Sequence, residues 1–269
     1  MVSSFKEGYM KVDGYKIHYL RYGDKGPKLV LIHSMGMDAH GFDMFSDEVK
    51  DEYQILALDI LGHGDSSIPE TLVSIPDHAE LMRRCYRQLD FVPNIIIGHS
   101  VGGMMGMVLA AEHPEELEGL VLVDIAPRES RGPRPSRPPP PEYFKDENEA
   151  RRYFRQRYTG FVDEAVANRI KNALTTDEEG RLVLKPIGDA IRPSLDVNLW
   201  PYAERIEIPT VLIKGGESTS ITDERIERLR RHIPGFQAVT VEGATHMVPQ
   251  DKPKEFKQQV INFIESISH

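Results

Sequence analysis

Short apolar runs alternate with amphipathic stretches along most of the chain. Tyr15–Tyr22 alternates apolar and polar side chains between Gly14 and Gly23, the period of a half-buried strand. Lys28–Ile32, Gln54–Leu58 and residues 95–97, 120–123, 211–213 and 238–241 are short runs rich in branched apolar side chains. Such runs suit strands of a sheet covered on both faces. Helical spacing predicts helices over residues 77–89, 103–111, Asp223–His232 and Pro253–Ile267. In the last of these, Phe256, Val260, Phe263, Ile264 and Ile267 form the apolar stripe, and Pro253 suits the first turn. Strands alternating with helices predict an α/β fold with a mostly parallel sheet flanked on both sides.

One segment breaks this rhythm. Residues 128–205 contain no run resembling a core strand. Residues 131–141 hold six of the chain's prolines, the last four consecutive, and predict an extended connection. Helical patterns follow at 147–158 and 162–174, then a short strand or hairpin arm at Leu182–Leu184. The expected organisation is a core of residues 1–127 and 206–269 with a cap or lid inserted at 128–205. An insertion that leaves the carboxyl edge of the sheet is placed to roof a site there.

Composition narrows the function. A net charge of −9 argues against a nucleic-acid footprint. Cys85 is the single cysteine, which excludes internal disulfides and thiolate metal clusters. The N-terminus carries no apolar signal region, and the expected location is cytoplasmic. Residues 95–111 are interrupted by His99, Ser100 and glycines, so they fall short of the ~18–20 apolar residues a membrane span needs.

The candidate chemistry centres on Gly98-His99-Ser100-Val101-Gly102, between the 95–97 strand and the small-residue helix that ends near Pro114. A serine on such a strand-to-helix bend is forced out of the sheet top, and the flanking glycines allow the bend. Ser100 is therefore the candidate nucleophile. It needs a base, an acid that orients the base, and donors for an oxyanion. His246, in the loop between the last strand and last helix, is the candidate base. His18, His113 and His232 read as structural, His63 as ordering a glycine-rich turn, and His99 as pointing away from Ser100. The Val101 amide, in the first turn of the helix, and the Met35 amide, after the 28–32 strand, are the candidate oxyanion donors.

These motifs, His33-Ser34-Met35-Gly36, the turn from Asp59 to Ser66, the Ser100 pentapeptide and Gly243-Ala244-Thr245-His246, resemble the α/β-hydrolase superfamily in order and spacing. The resemblance runs nearly end to end. It points to the esterase- and lactonase-like branch with a serine nucleophile and a helical cap. It implies an eight-stranded, mostly parallel sheet, a cap after strand six, and a Ser-acid-His triad. Ser34 stands where the family usually has glycine, as either an extra donor or a space-filler. The acid after strand seven is missing, since Thr219 occupies its expected place. Asp124, after strand six, is the expected acid, with Glu217 and then Asp223 as alternatives. The implied activity is hydrolysis of an ester or lactone of a small-molecule substrate through an acyl-serine, with no cofactor and no metal. Carbon-carbon bond hydrolysis, cofactor-free perhydrolysis and ligand reception without turnover are the competing readings. Ser34, Phe42, Met104, Trp200 and Met247 are the candidate pocket residues and favour an apolar or aromatic substrate. The oligomeric state is not legible.

Overall fold

The computed structural model describes residues 5–129, 138–188 and 195–268. In chain order the strands are β1 (Lys6–Val12), β2 (Tyr15–Tyr22), β3 (Lys28–Ile32), β4 (Gln54–Leu58), β5 (Asn94–His99), β6 (Leu117–Val123), β7 (Leu174–Thr176), β8 (Leu182–Leu184), β9 (Thr210–Gly215) and β10 (Gln237–Val241). The helices are α1 (Asp43–Val49), α2 (Ile75–Gln88), α3 (Val101–Glu112), α4 (Glu147–Arg157), α5 (Asp163–Ala173), α6 (Trp200–Ala203), α7 (Asp223–His232), α8 (Val248–Asp251) and α9 (Pro253–Ile267). Eight strands form one sheet in the order β1-β2-β4-β3-β5-β6-β9-β10. Only β2 runs against the others, pairing antiparallel with both β1 and β4.

The continuous apolar runs follow from burial on both faces. In β3, β5 and β6, Val30, Ile32, Ile96, Leu120 and Leu122 enter one core layer, with α2 and α3. Leu29, Leu31, Ile95, Ile97, Val121 and Val123 enter the opposite layer, with α1 and α9. The stripe of α9 buries Phe256, Val260, Phe263 and Ile264, each worth about 1.5–3 kcal/mol. β1 escaped the pattern because it is a polar edge strand in which only Met10 and Val12 are buried.

The described residues between β6 and β9 add no strand to the main sheet. Within it, α4 and α5 pack together, and β7 and β8 form a separate antiparallel hairpin. This segment has its own apolar cluster, including Phe144, Phe154, Phe161, Val166 and Ile170, which also takes in Met37 and Met247 of the core. Its last part behaves differently: Leu195, Leu199, Trp200 and Ala203 join the α2–α3 core layer. The start of the proline-rich connection, 131–137, lies outside the described residues, and 138–141 forms neither helix nor strand.

Gly102 shows how tightly α3 is seated. A Cβ there would lie 2.0 Å from the Ile32 carbonyl oxygen and 3.0 Å from that of His33. Only glycine lets the first turn of α3 press against the end of β3.

Candidate active site

Three adjacent parallel strands bring the candidate residues together. β5, β6 and β9 pair side by side, with His99 opposite Val123 and Val123 opposite Ile213. Ser100 and Asp124 each follow the last residue of a strand, so both emerge at the same carboxyl edge. The ladder continues one step beyond the strands: Ser100 N–H donates to Val123 O at 3.0 Å and Asp124 N–H to Ile213 O at 2.9 Å. Both residues then turn into the left-handed region, Ser100 at φ 53° and Asp124 at φ 46°. A non-glycine residue held there costs roughly 1–3 kcal/mol, and the surrounding packing sustains it.

The Asp124 side chain is fully buried, which a carboxylate tolerates only with donors around it. It has three. Gly215 N–H donates to Oδ1 at 3.0 Å, Ser218 Oγ–H to Oδ2 at 2.5 Å, and His246 Nδ1–H to Oδ2 at 2.7 Å. With Nδ1 donating, Nε2 of a neutral His246 is left as an acceptor. Glu217, Thr219 and Asp223 are exposed, and none of them meets His246 among the described residues. Ser218, which sequence reasoning passed over, lies in the segment where the resemblance places the usual acid. That location was the available signal.

The His246 loop is fixed from two sides. Thr245 N–H and Oγ1–H both donate to Asp251 Oδ2, at 2.7 and 2.5 Å. His99 Nε2–H donates to the His246 carbonyl at 2.8 Å. The His99 ring, expected only to point away from Ser100, therefore tethers the candidate base to the strand that carries the candidate nucleophile. The His99 and His246 ring centroids are 5.1 Å apart. Among the described residues no hydrogen bond joins Ser100 Oγ to His246. The structure thus joins Asp124 to His246 directly, and ties the His246 backbone to His99, the residue before Ser100.

On the other side of Ser100, residues 34–37 form a turn closed by Met37 N–H donating to Ser34 O at 3.0 Å. Gly36, its third residue, has φ 81°, which glycine adopts without strain. The amides of Met35 and Val101 have no acceptor among the described residues. Val101 opens the twelve-residue α3, where the helix dipole favours negative charge. Ser34 is buried, and its hydroxyl has no partner among the described residues. Met35 Sδ lies 3.1 Å from His63 Nε2. His63 thus braces the Met35 side chain, while the turn after β4 is organised by Asp59. That carboxylate accepts from Ala39 N–H, Asp65 N–H and His18 Nδ1–H.

Of the remaining pocket candidates, Met247 packs against the cluster of the inserted segment. Phe42 lies in the α1–α9 core layer, and Met104 and Trp200 in the α2–α3 layer. The Arg228 guanidinium covers the Trp200 indole, 3.8 Å from the ring centroid.

Burial, with His246 nearby, pushes His99 down to about 3; burial, with His33 nearby, does the same to His63. Both are neutral in the folded chain at pH 7 and resist protonation below it. The unfolded chain takes up protons at its ordinary histidine value near 6.5, so stability falls as pH drops below about 6.5 and continues to fall toward 3. Each ring should cost about 1 kcal/mol by pH 5.5. Urea midpoints at pH 7.5, 6.5 and 5.5 should decline in that order, and a flat series would contradict the neutral burial of these rings.

Residues 27–201 match the family described as alpha/beta hydrolase fold. The chain is 27% identical to the sn-1-specific diacylglycerol lipase ABHD11 of Mus musculus, over 88% of this chain and 81% of that protein. It is 23% identical to 2-(acetamidomethylene)succinate hydrolase of Mesorhizobium japonicum, over 92% of this chain and 91% of that protein. Among solved structures, that of E-2-(acetamidomethylene)succinate hydrolase superposes with a TM-score of 0.85 at 21% identity, covering 97% of this chain and 99% of the other. With the match covering well over half its length, and with a sheet of the implied strand count and direction, the chain belongs to the alpha/beta hydrolase fold family.

Proposed function

We propose that the protein is a serine hydrolase that cleaves a carboxylic ester or lactone of a small apolar or aromatic substrate through an acyl-serine intermediate. The observation that carries this reading is the 2.7 Å contact from His246 to buried Asp124, beside the strained Ser100 bend. Ser100 Oγ attacks the substrate carbonyl carbon while its proton passes to His246 Nε2, and Asp124 stabilises the imidazolium. The N–H groups of Met35 and Val101 hold the resulting oxyanion, the Val101 donor aided by the helix dipole. The tetrahedral intermediate collapses, His246 protonates the leaving alkoxide, and the acyl-serine forms. A water molecule, deprotonated by His246, then attacks the acyl carbon; the bond from that carbon to Ser100 Oγ breaks, His246 returns the proton to Oγ, and the acid leaves.

The inserted segment, residues 128–205, acts in this reading as a cap. Its apolar cluster reaches Met37, the last residue of the 34–37 turn, and Met247, beside the base, which supports an apolar acyl or alcohol group. The names of the relatives include a diacylglycerol lipase and an esterase, which favours ester over carbon-carbon bond hydrolysis. A cytoplasmic setting belongs to the same proposal, on the acidic composition and the single, buried cysteine.

A panel of p-nitrophenyl esters and lactones of varied chain length, run beside a fluorophosphonate probe, tests it. Turnover of at least one ester or lactone is expected, with one probe bound per chain, on Ser100. Folded protein that neither turns over the panel nor takes up the probe would overturn the assignment.

A further inference from the structure

α5 buries an apolar stripe in the inserted segment's own cluster, with Ala165, Val166, Ile170 and Ala173 all inside. Arg169 sits within that stripe, and its side chain is only 6% exposed. A guanidinium is expensive to bury and is kept only where it is paired. Its partners lie in one short loop of the core. Nη1–H donates to Asp38 Oδ2 at 2.5 Å, and Nη2–H donates to the Gly36 carbonyl oxygen at 3.0 Å. The Phe154 ring lies 5.8 Å from the guanidinium carbon.

These two acceptors bracket Met37. Gly36 is the third residue of the 34–37 turn that presents the Met35 amide, and Asp38 follows the turn directly. Asp38 is itself buried, and although it precedes the single helical turn Ala39–Phe42, its side chain caps nothing there. Its side chain instead accepts from Arg169, in the inserted segment. A buried ion pair gains little stability over an apolar pair of the same size, so stability alone does not account for its presence. What the pair does provide is position. The turn bends at Gly36, at φ 81°, and the Met37-to-Ser34 hydrogen bond closes it from within. Arg169 holds it from outside, at a carbonyl and at a carboxylate.

We propose that Arg169 is a positioning residue that, paired with Asp38, clamps the 34–37 turn and so aims the Met35 N–H at the developing oxyanion. The inference rests on the serine-hydrolase reading and adds that the inserted segment takes part in the chemistry through one side chain. Donors aimed in advance need no reorganisation during the reaction, and a misplacement of about 1 Å can cost on the order of 100-fold. Removing the clamp should leave the Met35 donor present but loose.

The test compares the wild type with Arg169→Lys and with the double variant Arg169→Gln/Asp38→Asn, which removes both buried charges together and so avoids stranding one. Fluorophosphonate labelling carried to completion counts the folded, reactive sites in each preparation. Per labelled site, the double variant should lose about 30-fold in kcat on the best ester of the panel, less than the 100- to 1,000-fold cost of deleting a donor outright. KM should stay within about twofold. Inhibition by a trifluoromethyl ketone, which forms a tetrahedral oxyanion on Ser100, should weaken by a factor similar to the loss in kcat. Arg169→Lys keeps the charge but not the fork that reaches two acceptors, and should recover part of the loss. An unchanged kcat per labelled site, or a loss confined to KM, would overturn the clamp. A wild type that takes up no probe would instead defeat the hydrolase reading itself.

Discussion

Ser100→Ala should lose on the order of a million-fold in kcat, the cost of removing the nucleophile from a triad that acts as a unit. The candidate oxyanion amides of Met35 and Val101 and the imidazole of His246 would all remain, yet no acyl-enzyme could form. The size of the loss is informative because the substitution should disturb little else. Ser100 is a half-buried residue whose backbone, at φ 53°, is set by the bend between β5 and α3, and whose side chain caps no helical amide. Alanine keeps the Cβ, so thermal unfolding should shift by no more than about 2 °C, within the range of a change of about 0.5 kcal/mol. Steady-state hydrolysis of an activated ester, with the melting curve of the same preparation, checks both halves. Residual activity above about one part in a hundred, in protein that melts normally, would place the nucleophile elsewhere.

The parts of the fold legible in the sequence are those where burial writes a simple pattern. β3, β5 and β6 bury both faces, so their runs are apolar at every step, and α9 buries a single clean stripe. β1 could not be read, because an edge strand owes its place to backbone pairing with β2 and carries mostly polar side chains. Within the candidate site, Ser100 and Val101 could be read locally, since a strand, a bend and a helix are consecutive in the chain. The acid could not. Asp124 and Glu217 both follow core strands, and the choice depends on which carboxylate receives the Gly215 amide and the Ser218 hydroxyl, contacts spanning more than 90 residues. Trp200 is a related case. An aromatic residue in an insertion suggests a pocket wall, but the chain has already returned to the core there, and Arg228 closes over the indole. Arg169 left one trace, a charge in the apolar stripe of a helix, whose meaning depends on a loop 131 residues away.

The sharpest test of the acid is a pair of substitutions with opposite expectations. Asp124→Asn should lower kcat by about ten-thousand-fold, while Glu217→Ala should stay within about twofold of the wild type. The asymmetry follows from the donors around Asp124. A carboxylate accepts from Gly215 N–H, Ser218 Oγ–H and His246 Nδ1–H at once. An asparagine offers one oxygen, and its amide nitrogen must face either Gly215 or the Ser218–His246 pair. If the oxygen stays with Gly215, the NH2 group meets His246 Nδ1 and can be satisfied only if that nitrogen becomes the acceptor. The proton then resides on Nε2, and the imidazole can no longer take one from Ser100. If the amide turns over, the Gly215 N–H loses its acceptor inside the core, at a cost of about 1–3 kcal/mol in stability. The Ser218 hydroxyl can rotate to accept, so the first arrangement is favoured and the defect falls mainly on kcat. Glu217 is exposed, and its side chain meets none of these groups. Loss of the downfield Nδ1 proton resonance of His246 in Asp124→Asn, alongside the kinetics, would identify the tautomer as the cause. A crippled Glu217→Ala beside an active Asp124→Asn would move the acid to the β9 loop and remove the reason for burying a charge at the end of β6.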